Sequence, residues 1–287
     1  MSKPTIAGIQ RYTLFSPNHV GNDAAIFTAT ADLLREAGYK VNIYTEQEFL
    51  ANDLEEKYVF TMLRDEKSVQ RLAELEAGGV KAVNSSSGIR NCVREQMTDL
   101  LLKNNIPYPD SVILNTGDKV SEYTSGKRIG SCWIKRGDFH AIHKEDVTYI
   151  RKPEEIREVM AEYALRGIDR VVINDHLHGD LIKFYGVAGT DFFHWFYPFD
   201  RQHSKFGHED INGKPVGIDF SVDSLKDICN AAADVLEVAV YGGDCIVSPD
   251  GVIRIIDFND WPSFAPCREE ASCAIAETIE RVIQENE

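Results

Sequence analysis

The chain has 287 residues, of which 43% are hydrophobic, 10% aromatic and 27% charged. This is the composition of a globular protein, and it excludes collagen-like, coiled-coil and largely disordered chains. Asp and Glu outnumber Lys and Arg by 46 to 31, and the resulting formal charge of −15 disfavours nucleic-acid and membrane-surface partners, because both present phosphate anions.

The cellular compartment is indicated by two features of the sequence. The amino-terminal residues lack the basic and then apolar order of a signal peptide, and no run approaches the ~18 apolar residues of a membrane span. The six cysteines include no Cys-x-x-Cys pair, so we expect reduced thiols. The sequence therefore predicts a cytoplasmic protein.

The first part of the chain alternates β-type runs with helical patterns, which predicts βαβ units and a parallel sheet. Strands are predicted at Thr5–Ile9, Val41–Thr45, Tyr58–Leu63 and Val80–Asn84, and helices after a cap at Asn22 or Asp23, around Ser68–Leu75 and near Ile89–Asn104. Pro107 and Pro109 then interrupt the chain, because proline cannot continue a helix. We expect residues 1–106 to form a Rossmann-like domain.

Beyond the prolines, strands cluster and are followed by helices, which indicates an antiparallel α+β arrangement in residues 107–287. Strands are predicted at Cys132–Arg136, Val147–Ile150, Arg170–Asn174, Leu181–Val187, Asp191–Tyr197 and in a hairpin at Tyr241–Asn259, and helices at Pro153–Leu165, Val222–Val238 and Glu269–Ile283. The polar segment Asp200–Pro215 is predicted to be an exposed loop, either a mobile active-site lid or a surface connection.

The most informative segment is an acidic hairpin around the turn signal Asp250-Gly251. Because side chains alternate along a strand, Asp257 and Asn259 share one face. A turn at Asp250-Gly251 places Asp244 opposite Asp257, whereas a turn one residue earlier places Asp244 opposite Ile255, on the same face. Either register collects two carboxylates and one amide.

Two opposed carboxylates repel each other, and apolar neighbours would partly desolvate them. A divalent cation removes both costs, and oxygen ligands without His or Cys suit Mg²⁺ or Mn²⁺. A polar strand face exposed to water would show the same pattern. Spacing alone therefore leaves a metal site and a solvated face as alternatives.

The hairpin sequences Gly-Gly-Asp-Cys-Ile-Val and Ile-Ile-Asp-Phe-Asn-Asp-Trp-Pro-Ser-Phe resemble the metal-binding end of the ATP-grasp superfamily. The resemblance covers most of residues 85–285. It implies an ATP-grasp unit of two α+β subdomains with ATP between them, so the expected fold class is α/β plus α+β. It also implies that Asp244, Asp257 and Asn259 bind Mg²⁺ (or Mn²⁺) against ATP, although the family usually has glutamate where Asp257 stands.

Two lysines interrupt apolar strands. Lys183 either extends to solvent or meets an anion inside the protein. Lys135 ends a strand just before Gly137, whose backbone could approach phosphates, although a plain hairpin loop would look the same. The resemblance implies that both lysines bind ATP phosphates, and that the loop Gly137–His143 carries His140 as a further candidate contact to phosphate or substrate.

The resemblance also implies a site for adenine and ribose along the strand that ends near Asn174. Backbone groups of Ile173 and Asn174 would contact the adenine. Asp175 would lie near the adenine or ribose, and Asp180 is a weaker candidate for the ribose or for a lid. Turn chemistry around Gly179 would explain both aspartates equally well.

Three arginines are candidates for contacts with reacting groups. Arg268 is the best candidate to stabilise a tetrahedral intermediate, with a surface residue at a helix start as the alternative. Arg201, in the long loop, is a weaker one. Arg94 is a possible phosphate ligand, although a helix-surface arginine is the simpler interpretation.

The reaction that the resemblance implies is ATP-dependent ligation of a carboxylate, on a small molecule or a peptide, to an amine through an acylphosphate. One alternative is a small-molecule kinase, because inositol-phosphate kinases share the fold and are similar around residues 174–187; the acidic net charge argues mildly against the basic pocket that such a kinase needs. The other is a nucleotide-binding regulatory module, against which the retained lysines and metal-ligand candidates argue.

Overall fold

A computed structural model describes residues 3–17, 19–120, 130–141, 143–198 and 211–287. Arg201 and most of the predicted loop Asp200–Pro215 lie outside these residues. The described chain contains three four-stranded sheets. Within the described ranges, no α-helix combines the length and the apolar content that a bilayer span requires.

The first sheet is parallel and has the strand order β2-β1-β3-β4. Its elements are β1 (Thr5–Gln10), α1 (Val20–Glu36), β2 (Lys40–Thr45), α2 (Glu46–Ala51), β3 (Tyr58–Thr61), α3 (Glu66–Ala77) and β4 (Lys81–Val83). Helix α1 begins at Val20, so the predicted cap at Asn22 or Asp23 is wrong. The carboxylate of Asp23 instead accepts a hydrogen bond from Arg11, 3.0 Å away.

The other two sheets are antiparallel, with the orders β5-β8-β6-β7 and β10-β9-β11-β12. Their elements and the remaining helices are α4 (Ser86–Asn91), α5 (Arg94–Lys103), β5 (Ser111–Asn115), β6 (Cys132–Arg136), β7 (Val147–Ile150), α6 (Ile156–Leu165), β8 (Arg170–Asp175), β9 (Asp180–Val187), β10 (Phe193–Phe196), α7 (Val222–Leu236), β11 (Val240–Val247), β12 (Ile253–Asp260) and α8 (Arg268–Gln284). One parallel and two antiparallel sheets agree with the expected mixture of α/β and α+β structure.

The predicted helix near Ile89–Asn104 is two helices. The backbone of Val93 is extended (φ −65°, ψ 135°), and a β-branched residue is a poor helix former. Helix α5 therefore begins at Arg94 as a helix separate from α4, which ends at Asn91. Two elements were not predicted from the sequence: α2, whose six residues are too few to show a helical period, and β5.

Two hydrophobic cores contain residues from both sides of the predicted boundary at residues 106 and 107. Met97 of α5 packs with Phe258 of β12, and Phe60 of β3 packs with Ile275 of α8. The first and third sheets are therefore held together by shared apolar burial. The division into a Rossmann-like domain and a separate catalytic unit stays a prediction.

Asn84, which follows β4 and is 1% exposed, connects the first sheet to the third through its amide group. Its Nδ2 donates to the carbonyl of Val240 (2.8 Å), and its Oδ1 accepts from the backbone N–H groups of Ala239 (3.0 Å) and Val240 (2.8 Å). These bonds fix the start of β11, the strand that carries Asp244.

We expect Asn84→Ala to lower the free energy of unfolding by about 3 kcal/mol, because three buried backbone groups lose their partners. Urea unfolding followed by circular dichroism measures the change. Asn104→Ala, which removes one exposed hydrogen bond to the Leu100 carbonyl, is the control and should change stability little. Equal stability of the two variants would contradict this role of Asn84.

Candidate active site

A cavity of about 460 Å³ lies where the three sheets meet. Lys135 and Asn174 of the second sheet line one side, and Lys183 and Asp257 of the third sheet line another. Arg64, from the segment after β3, reaches the same cavity. Its volume is in the range of sites that bind small molecules.

The hairpin β11–β12 brings the acidic residues together through a β-bulge. Asp244 is paired with Asp257, as in the first of the two registers considered. The register then shifts, and Cys245 is paired with Ile255, so Ile256 is the extra residue. Asn259 lines the cavity together with both aspartates.

Lys135 donates a hydrogen bond to the backbone carbonyl of Ile256, the extra residue of the bulge. The side chain is 6% exposed, and its Nζ donates to the Ile256 carbonyl at 2.9 Å. Burial and the nearby Arg94 lower the pKa of Lys135 to about 7, against the opposing effect of Asp257 and Asp244. The residue is thus a buried amine at the cavity wall, within reach of an anionic ligand.

Arg94 lies in the cavity wall, so its interpretation as a helix-surface arginine is wrong. It is 7% exposed, and its Nη1 lies 2.7 Å from Oδ1 of Asp257. Arg94 reaches the hairpin because the helix breaks at Val93, which makes Arg94 the first residue of α5. Burial raises the pKa of Asp257, but Arg94 and Lys135 outweigh that effect and hold the pKa well below its usual value.

Lys183 also enters the cavity. It is paired in register with Asp244 across strands β9 and β11, and its Nζ lies 2.8 Å from Oδ1 of that aspartate. The anion that Lys183 meets in this structure is therefore a carboxylate of the same chain. Each of the two opposed carboxylates, Asp244 and Asp257, has one cationic neighbour at hydrogen-bond distance.

The oxygen atoms of Asp244, Asp257 and Asn259 fit a hard divalent cation such as Mg²⁺ or Mn²⁺. No cluster of three His, Cys, Asp or Glu side chains with metal-binding geometry occurs in the described ranges, and this set holds two carboxylates and one amide. Mg²⁺ commonly takes one or two carboxylates and completes its coordination with water and substrate phosphates. The donor set is compatible with that arrangement.

The end of the cavity expected to hold adenine is bordered by Asn174, Asp175 and His176. Asn174 is 1% exposed; its Nδ2 donates to Ser111, and its Oδ1 has no hydrogen-bond partner. A ligand with a polar N–H group, such as a nucleobase, would satisfy this oxygen. Ile173 does not line the cavity: its side chain lies in the core between the second sheet and α6, and its backbone pairs with strands on both sides.

His176 adds a polar group that the sequence analysis did not single out. Trp133 donates from Nε1 to Nδ1 of His176 at 3.1 Å, and both rings line the cavity. Burial and the neighbouring His178 lower the pKa of His176 to about 4. The imidazole is therefore neutral near pH 7, and its proton is on Nε2.

Asp180 holds a loop and does not line the cavity. Its two carboxylate oxygens accept hydrogen bonds of 2.8 Å from the backbone N–H groups of Val216, Gly217 and Ile218. The assignment to the ribose is not supported, because both oxygens are already bonded to the chain.

His140 and Arg268 differ in their relation to the cavity. His140 lines it and is 7% exposed, with Nε2 3.6 Å from Oδ1 of Asp260. Arg268 starts helix α8 and donates to Oδ1 of Asn22 at 3.0 Å, and it is not among the described residues that line the cavity. Its role at a tetrahedral intermediate stays a prediction.

Arg11 and Arg64 also line the cavity, and neither was predicted from the sequence as a site residue. Their guanidinium groups lie 3.8 Å and 3.2 Å from the fully buried carboxylate of Asp260. A signal was present, since each arginine follows an apolar strand of the parallel sheet. Ligands of such sheets bind beyond the carboxyl ends of the strands.

Comparison with solved structures identifies the architecture, whereas no protein-family model and no curated protein matches the sequence. The D-alanine–D-alanine ligase from Bacillus anthracis in complex with ATP superposes with a TM-score of 0.70 at 14% identity, covering 99% of this chain and 100% of that one. The chain has the ATP-grasp fold. This confirms the fold that the resemblance of the hairpin sequence implied.

Two further structures support this assignment of the fold. The D-alanine–D-alanine ligase from Coxiella burnetii matches with a TM-score of 0.68 at 14% identity, covering 99% and 96% of the two chains. The ATP-grasp ligase PsnB, complexed with its precursor peptide PsnA2 and AMPPNP, matches with a TM-score of 0.61 at 15% identity, covering 99% and 100%. At such identities the comparison establishes the fold, and the reaction has to be argued from the site.

The low pKa of Lys135 predicts a pH dependence of stability. Between pH 7 and the ordinary lysine value of 10.5, the unfolded chain binds more protons than the native one, so the free energy of unfolding rises with pH. We expect a contribution of up to about 1.4 kcal/mol per pH unit in this interval.

Lys135→Met should lack this contribution, which urea unfolding at several pH values between 6.5 and 9.5 would show. Lys152→Met removes an exposed lysine and should retain the wild-type pH dependence. Identical pH dependence in wild type and Lys135→Met would contradict the buried amine.

Proposed function

We propose that the protein is an ADP-forming ligase that uses ATP to join a carboxylate to an amine. The observation that carries the proposal is that one cavity collects Lys135 and Lys183 with Asp244, Asp257 and Asn259. The matched structures are ligases, one with ATP and another with a peptide and AMPPNP, which supports a small-molecule or a peptide carboxylate as substrate.

In the first step, an oxygen of the substrate carboxylate attacks the γ-phosphorus of ATP. The bond from that phosphorus to the bridging oxygen breaks, and its electron pair leaves with ADP. Lys183, and Lys135 in its protonated form, offset the negative charge of the transferring group. Mg²⁺ held by Asp244, Asp257 and Asn259 would supply further charge neutralisation on the phosphates.

In the second step, the amine attacks the carbonyl carbon of the acylphosphate. The carbon–oxygen bond to phosphate breaks, inorganic phosphate leaves, and the nitrogen gives up its proton to solvent. Substrates bound in the cavity would restrict access of water, which would otherwise hydrolyse the acylphosphate. Arg94 has a positioning role, because it holds the carboxylate of Asp257 in place and ionised.

The metal assignment predicts that Asp257→Asn lowers ATP turnover by at least about 100-fold, because it removes one anionic ligand and keeps the size of the side chain. ADP release measured over a range of Mg²⁺ concentrations tests this. Asp250→Asn, at the exposed turn of the same hairpin, is the matched control. If Asp257→Asn folds and turns over ATP as the wild type does, Asp257 is not a metal ligand.

A kinase that phosphorylates a hydroxyl group is the second candidate. The acidic net charge argues only mildly against it, because the cavity lining carries charges of both signs. Among the described residues, five basic side chains line the cavity (Arg11, Arg64, Arg94, Lys135 and Lys183) beside four carboxylates (Asp23, Asp175, Asp244 and Asp257).

Hydroxylamine separates the two reactions, since it captures an acylphosphate as a hydroxamate and does not react with a phosphate ester. With ATP, Mg²⁺ and a panel of carboxylic acids, we expect hydroxamate together with ADP and free phosphate. A stable phosphorylated product without hydroxamate would establish the kinase. An absence of turnover with every acid and alcohol tested would favour the regulatory module.

A further inference from the structure

Two arginines from the first sheet, which we call the arginine pair, reach one end of the cavity. Arg11 follows β1, and Arg64 follows β3, its neighbour in the sheet. Their side chains are 5% and 7% exposed, and both line the cavity. Glu46 of α2 holds the backbone of Arg64 in place, because its carboxylate accepts a hydrogen bond from the backbone N–H of Arg64 at 3.1 Å.

The two members of the arginine pair differ in how many of their nitrogens are bonded. Arg11 has a partner for each nitrogen: Nε donates to the Met62 carbonyl (3.1 Å), Nη1 to Asp23 (3.0 Å) and Nη2 to the Trp261 carbonyl (3.0 Å). It is therefore a structural cation whose charge is balanced mainly by Asp23.

Arg64 keeps donors that the chain does not use. Its Nη2 donates to Asp260, at 3.2 Å from Oδ1 and 3.4 Å from the carbonyl. Its Nε is buried without a hydrogen-bond partner, and no described residue accepts a hydrogen bond from Nη1. A buried guanidinium with unused donors is unfavourable, and an anionic ligand that accepts from them relieves this cost.

The arginine pair lies beside Asp260, which directly follows the metal-ligand candidate Asn259, and it is farther along the third sheet than Lys183 and Asp257. Asp260, which both arginines approach, lies three residues beyond Asp257 on β12, roughly 10 Å along the strand. Lys183 is paired with Asp244, and Asp244 is paired with Asp257, so these three residues lie side by side across the sheet. The cavity therefore has cations at two separate places, and the second is on the side of the first sheet.

We infer that Arg64 binds a second carboxylate of the acid substrate, so that the substrate class is dicarboxylic acids and amino acids with an acidic side chain. This rests on the proposed function, in which the first carboxylate is phosphorylated near Lys183. Arg64 presents its N–H groups to the remote carboxylate, and Arg11 keeps its own partners and shapes this end of the cavity. An acid with one carboxylate leaves the donors of Arg64 unused.

The test is equilibrium binding by calorimetry, with ADP and Mg²⁺ present so that no turnover occurs. The probes are pairs of equal carbon number: succinate and butyrate, glutarate and valerate, adipate and hexanoate, with L-glutamate added. We expect at least one diacid to bind about 10- to 100-fold more tightly than its monoacid partner, as expected from a charge-assisted hydrogen bond.

Arg64→Met should abolish this preference while leaving the affinity for ADP and for the monoacids unchanged. Arg64→Lys keeps the charge and loses the planar set of donors, so it should retain only part of the preference. If Arg64→Met does not fold, Arg64→Lys is the variant in which the preference is measured. Arg90→Met, which removes an exposed arginine bonded to Gln70, controls for the loss of one positive charge.

Three binding results would overturn the inference: equal affinity of wild type for the diacids and monoacids, an unchanged preference in the Arg64 variants, or a loss of ADP affinity in place of diacid affinity. The last would assign Arg64 to the nucleotide. Failure of the ligase proposal looks different, because diacids would then bind with the expected preference and yield no hydroxamate. Hydroxamate formed from monoacids alone would overturn the inference and leave the ligase proposal standing.

Discussion

The structure depends on the balance of charge at one end of the β11–β12 hairpin. Three carboxylates lie there, of which Asp260 is fully buried and Asp244 and Asp257 are partly buried, and each has a cation from another segment of the chain. Lys183 of β9 contacts Asp244, Arg94 of α5 contacts Asp257, and Arg64 after β3 contacts Asp260. A buried carboxylate without such a partner would be strongly destabilising, so these contacts restrict how the sheets can be arranged. The cavity is the space that remains between them.

This arrangement has a consequence for binding. Under the proposed function, a substrate anion would compete with Asp244 and Asp257 for Lys183 and Arg94. A divalent cation bound to these two carboxylates would release both basic side chains for the anion. Arg64 differs from them, because it has unused donors while its contact with Asp260 is intact.

Apolar packing keeps the walls of the cavity in place. Trp261 and Phe264, which follow the acidic hairpin, are fully buried in the core that also contains Phe60 of the first sheet. Helix α8 lies against α1, and α5 packs against α7 and the third sheet. The amino-terminal sheet, which contributes Arg11 and Arg64, is therefore held against the hairpin by a shared hydrophobic core and by the hydrogen bonds of Asn84.

The sequence by itself determined the features that depend on neighbours in the chain. Alternation along β12 places Asp257 and Asn259 on one face, the turn signal brings Asp244 opposite, and apolar periodicity locates most strands and long helices. Only the tertiary structure decided which cations meet these carboxylates. Arg11, Arg64 and Arg94 are each more than 160 positions away from the carboxylate of the hairpin that they approach, and no local pattern encodes such contacts. Likewise, Asp180 has the local signature of a ligand residue, yet the fold places a loop backbone against both of its oxygens.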